Sequence, residues 1–179
     1  DISLVAVPGQ TTAAVQQALI DHCELDRYRF AVLDAQGPDD DSLRDVQNQR
    51  QQFDTKYAAL YHPWLTIPEP MPENLVNIRQ MALPPSGHML GIYARTDNER
   101  GVHKAPANEI LQGVLDLAVD VDHAMQARLN PAGVNCLRAF AGRGIRVWGA
   151  RTVQQTGVWT YVNVRRLFIT VIRWALRFM

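Results

Sequence analysis

The sequence predicts an α/β fold: a mixed, mainly parallel β-sheet flanked by helices. Three observations carry this expectation. Short β-branched apolar runs alternate with helix-periodic segments, Pro/Gly-rich stretches punctuate them, and the chain closes on a strongly amphipathic helix. At 179 residues the chain is long enough to bury a core without disulfides or metal clips, so a single domain over 1–179 is expected.

Taken in order, Ile2 to Val7 reads as a buried strand stopped by Pro8-Gly9. Thr11 or Thr12 caps a helix from Ala13 to about Leu25, with Val15, Ala18, Leu19 and His22 as its repeating stripe, and Tyr28 to Leu33 returns to strand character. Gly37 to Ser42 offers a turn and N-cap chemistry for a polar helix from Leu43 to about Phe53. Tyr57 to Leu65 is another strand, expected to end at Pro63 and the proline-rich stretch Ile67 to Pro72 in an extended surface connection. Such strand and helix alternation favours parallel pairing.

Beyond Pro84-Pro85, Ser86 is placed to cap a helix to about Thr96 whose inward residues are Met89, Ile92 and Tyr93. A connector rich in Asn, Gly and Pro covers roughly 97–108. Val114 to Val121 is strand-like and Asp122 to Leu129 helix-like, and Val134 to Phe140 with Ile145 to Thr152 forms a hairpin around Ala141-Gly142-Arg143-Gly144. In the last helix, Val162 to Met179, the residues Val164, Leu167, Phe168, Val171, Ala175 and Phe178 form the apolar stripe expected to cover the sheet, and Arg166, Thr170, Arg173 and Arg177 the opposite one. The helix has no closing Gly, Asn or Pro and residue 1 is Asp, so the natural polypeptide is expected to continue past both ends.

Apolar residues make up 47% and charged residues 20%, which excludes a disordered or collagen-like chain. No apolar run reaches the roughly 18 to 20 residues of a membrane-spanning helix, and no stable membrane insertion is expected. Cys23 and Cys136 stand far apart without CxxC or Cys/His spacing and read as reduced thiols. The net charge is zero but divided: residues 124–179 carry nine arginines and no acid, leaving nine basic and 18 acidic residues in 1–123. Such halves attract one another, within a subunit or between subunits, and this suits self-association better than dedicated nucleic-acid binding.

Catalytic patterns are missing. Pro85-Ser86-Gly87 is not a GxSxG elbow, Gly142-Arg143-Gly144 lacks the third glycine of a dinucleotide loop, and no P-loop occurs. The five histidines, His22, His62, His88, His103 and His123, have no metal-ligand spacing, and Asp116, Asp120 and Asp122 read as a solvated or arginine-paired edge. No catalytic, cofactor or metal residue is therefore assigned. An α/β hydrolase-like enzyme assembled from distant loops is the alternative, discriminated by a pocket gathering His, Ser and acidic groups.

Three ordered blocks carry a family resemblance. The first is Pro84-Pro85-Ser86-Gly87, Gly91 to Asp97 and Arg100 to Glu109. The second is Leu129-Asn130, Gly133-Val134-Asn135, Arg138, Gly142-Arg143-Gly144-Ile145 and Val147 to Thr152. The third is Trp159 with Tyr161 to Arg166. Together they resemble the signature region of phage contractile tail sheath proteins, while residues 1–65 are less distinctive. His103 departs from the family's usual tryptophan, and Gln154 to Gly157 replaces an Asp-Pro turn.

The resemblance implies a tail-sheath core domain with its terminal arms missing, part of a structural, non-enzymatic subunit of the virion tail sheath, assembled in the bacterial host cytoplasm. Its implied partners are other sheath subunits, the inner tail tube, and baseplate and tail terminator proteins, with no nucleic acid and no cofactor. Contraction would use energy stored in a metastable assembly, with neighbours linked by strands added from their arms. Arg165, Arg166, Arg173 and Arg177 are the expected electrostatic contacts to a neighbouring subunit or the tube.

Overall fold

The computed structural model describes residues 2–37, 42–70 and 79–176. Its centre is a five-stranded sheet in the order β1 (Leu4–Val5), β2 (Phe30–Asp34), β3 (Ala58–His62), β7 (Val134–Phe140) and β8 (Gly144–Val147). The first four strands run parallel, and β8 returns antiparallel to β7 through the hairpin the glycine spacing foretold. Every residue of β2 and β3 is buried, as expected of strands covered on both faces.

Between them lie α1 (Ala13–Asp26) and α2 (Leu43–Gln51), the latter capped by the Ser42 hydroxyl accepting from the Asp45 N–H. Residues 38–41 of the acidic turn lie outside the described residues. The buried face of α1 is Gln16, Ile20 and Cys23, one position on from the stripe read in the sequence, and His22 is exposed. The rotation has a polar cause. Gln16 Nε2 donates to the carbonyl oxygens of Asp34 (2.7 Å) and Gln10 (3.2 Å), and Gln49 Nε2 donates to the same Asp34 carbonyl and to Gln16 Oε1, each at 3.0 Å. These bonds satisfy two buried amides, which apolar counting alone would have placed at the surface.

A second, three-stranded antiparallel sheet, β5 (Gln80–Leu83), β4 (Leu65–Pro68), β6 (Asp116–Leu117), was not foreseen. The proline-rich stretch is thus not simply a connection: Pro68 ends β4, paired with Gln80 at the sheet's margin where its missing N–H is tolerated. Residues 71–78 lie outside the described residues. Val114 to Val121 contributes only the two residues of β6. α3 runs past the expected Thr96, over Ser86–Arg100, with Met89, Ile92 and Tyr93 buried as expected. Its connector then runs along the outer edge of β8, where Asn108 donates to Val147 O and Leu111 to Ile145 O. α4 (His123–Leu129) is capped by Asp122, whose carboxylate accepts from the Met125 N–H at 2.7 Å.

Asn135 locks the sheet to the segment after β8. Fully buried on β7, it donates to Leu60 O (3.2 Å) and Arg151 O (2.7 Å) and accepts from the Arg151 N–H (2.6 Å). Gly149 lies so close that a Cβ there would stand 2.9 Å from Asn135 Oδ1. Asn135→Ala removes a partner from the buried Leu60 carbonyl and from both half-buried backbone groups of Arg151, and urea denaturation should show a loss of about 2–3 kcal/mol.

Candidate functional site

The last helix, α5 (Val162–Leu176), is where charge, aromatic rings and apolar surface meet. Its orientation reverses the sequence expectation. Val162, Arg165, Arg166 and Ile169 face inward, while Phe168, Val171, Ile172, Trp174 and Leu176 of the outer half are 45–64% exposed. Apolar periodicity fixed the helix but not which stripe is covered, because two arginines find specific partners inside.

Arg166 forms a two-pronged ion pair with Asp97 of α3, Nη1 to Oδ1 at 3.0 Å and Nη2 to Oδ2. Its guanidinium also lies 4.7 Å from the centre of the Tyr93 ring. Below, the Tyr93 and Tyr61 hydroxyls share a hydrogen bond of 2.6 Å, and burial pushes both phenols up. Arg165 stacks 4.2 Å from the Tyr57 ring and 5.0 Å from Trp159. The sequence-predicted interface residues therefore separate. Arg165 and Arg166 are each 6% exposed and engaged within the subunit. Arg173 is half-buried beside Asp97 and Trp174 on a cavity of about 310 Å³, and Arg177 lies outside the described residues.

Sequence reading missed the partners Asp97, Tyr57 and Trp159. The one available signal was the four-residue step from Tyr93 to Asp97, which puts ring and carboxylate on one face of α3. The arginine-rich half thus meets the acidic half at least once inside the subunit.

The other ionisable groups serve packing. Asp34 ends β2, and its carboxylate accepts from the Gly9 N–H (3.0 Å), the Ser86 N–H (2.7 Å) and the Ser86 hydroxyl (2.8 Å). Ser86 therefore anchors α3 to the sheet instead of capping it. Desolvation raises the Asp34 pKa, opposed by those three bonds. Ser86 has no histidine bonded to it among the described residues, so nothing supports the hydrolase alternative. No group of three or more His, Cys, Asp or Glu side chains among the described residues could hold a metal. Cys23 and Cys136 are free and fully buried, and burial pushes both thiols up to about 12. No described helix is long and apolar enough to cross a membrane.

Comparison with known proteins places this α/β domain in the contractile-sheath class. The chain belongs to the phage tail sheath protein family: the model of the family's central domain matches residues 1–153. It is 27% identical over 173 residues to the tail sheath protein of Escherichia phage P2, covering 91% of this chain and 40% of that protein. It is 35% identical over 96 residues to that of Vibrio phage KVP40, covering 51% of this chain and 14% of the relative. Among solved structures, the sheath of the extracellular contractile injection system PVC in its contracted state superposes with a TM-score of 0.82 at 32% identity, covering 99% of this chain and 47% of that one. The contracted helical sheath of the anti-feeding prophage gives 0.76 at 36% identity, covering 96% and 45%. The chain thus spans less than half the length of these relatives.

Proposed function

We propose that this chain is the core domain of a contractile sheath subunit, which stacks with copies of itself around an inner tail tube and shortens to drive that tube through a cell envelope. The observation that carries this reading is its likeness, at 32–36% identity over nearly its whole length, to sheaths solved in the contracted state. The subunit works by surface contacts without turnover, and its remaining partners are baseplate and terminator proteins. It acts in the tail sheath, assembled in the host cytoplasm. The 1–179 chain is one domain of a longer polypeptide, with arms that add strands to neighbours.

Two surfaces support this. Among the described residues the outer edge of β1 has no strand partner, which leaves backbone groups for an added strand. The exposed apolar half of α5 is a surface that a monomer rarely leaves uncovered. Arg173 and Arg177 supply the electrostatic contacts to a neighbouring subunit or the tube.

Electron microscopy of the full-length protein expressed alone should show tubes or short polysheaths. Only dispersed monomers, at any concentration, would refute the reading. Reversing Arg173 and Arg177 to Glu should abolish or shorten those tubes while circular dichroism shows the subunit still folded.

A further inference from the structure

Arg50, at the end of α2, is 3% exposed, yet it has no ion pair among the described residues. Its Nη1 donates to Phe53 O at 2.7 Å, and its Nε is buried with no hydrogen-bond partner. Gly133 is needed beside it: a Cβ there would come within 2.8 Å of Arg50 Nε, at a φ of +90°. The side chain is therefore held in place by backbone packing, without a facing charge. Asp54 influences it only at longer range, and desolvation lowers its pKa.

This cation borders a cavity of about 250 Å³, lined otherwise by Gln47, Gln51, Gln154, Gln155 and the Pro131-Ala132 turn. The four glutamine amides each bring a donor and an acceptor, Gln155 Nε2 already reaching Phe53 O at 3.4 Å, and no carboxylate lines the space. A desolvated cation without a counter-charge costs several kcal/mol, and with Nη1 committed to Phe53 O and Nε shut away against Gly133, Nη2 is the group left to meet an anion.

We propose that the Arg50 cavity is an anion-binding site for a compact oxyanion, either a free one or the carboxylate of an acidic side chain from a second copy of this chain. The guanidinium supplies the charge and the glutamine amides complete the cradle. The cavity has room for an anion of phosphate or acetate size.

The test titrates sodium phosphate and sodium acetate against the purified chain, at constant ionic strength set with sodium chloride, and follows the thermal midpoint. The expected result is a saturable rise of about 3 °C at ten times the half-saturating concentration. Gln47→Glu places a carboxylate at the cavity wall as an internal counter-ion. That variant should start with a higher midpoint and lose the response, so it does not depend on a folding-defective protein. Arg50→Lys keeps the charge but loses the Nη2 group at the cavity and should raise the half-saturating concentration at least tenfold. If the chain self-associates in light scattering and Gln47→Glu abolishes this, the natural anion is a carboxylate of the second copy; unchanged association assigns a free oxyanion. No saturable response in the parent, together with an unchanged or lowered midpoint in Gln47→Glu, overturns the site.

Discussion

Replacing Asp97 with alanine should lower the thermal midpoint by about 10 °C, the largest single effect expected at neutral pH. The pair it breaks is enclosed, with Arg166 at 7% and Asp97 at 21% side-chain exposure. Removing one member of such a pair strands the other charge among the Tyr93 ring and the helix backbone, at a cost of about 3 kcal/mol. The second substitution Arg166→Met, which fills the volume without charge, should recover most of the loss. An Asp97→Ala midpoint within 2 °C of the parent would show that Arg166 is held by its aromatic contact alone. The double variant separates charge stranding from lost packing, because only the former is relieved when both charges go.

Acid should destabilise the domain through His62. This residue ends β3 with no exposure, neither ring nitrogen has a hydrogen-bond partner among the described residues, and burial lowers its pKa from 6.5 to about 4. Between those two values the unfolded chain binds a proton that the folded chain refuses. The stability contributed by the neutral ring is therefore complete above pH 7, falls as pH drops below 6.5, and levels off below about 4. The gap corresponds to about 3 kcal/mol. Asp34 acts in the opposite sense: its raised pKa means the folded state takes up the proton first, so its protonation adds stability as the solution becomes acidic. His62→Leu isolates the imidazole. Urea midpoints measured from pH 7.5 to 4 should fall steeply for the parent and much less for the variant, and parallel curves would remove His62 from the acid response.

How much of this was legible in the sequence depended on whether a segment's partners were apolar or polar. The strands around Phe30 to Leu33, Ala58 to His62 and Val134 to Phe140 followed from runs that only a covered sheet accepts, and the 141–144 hairpin from its glycines. The family followed from three motif blocks. Helix faces were less legible. Gln16 and Arg166 are buried because one particular carbonyl and one particular carboxylate wait for them, and hydrophobic periodicity carries no information on either. The second sheet was hidden because proline ordinarily marks a break, whereas Pro68 closes a strand at a margin. At the α5 surface, the sequence revealed that arginines cluster but not that Arg165 and Arg166 turn inward onto rings contributed by residues tens of positions away.

The amides of Gln16 and Gln49 meeting at the Asp34 carbonyl have a mechanical meaning. Both helices are stapled to the end of one strand by uncharged groups, which neither salt nor acid can titrate or screen. Ionic contacts at the periphery can be exchanged without loosening this joint, so the covering layer moves with its sheet as one stiff block, and displacement has to be taken up at the rim.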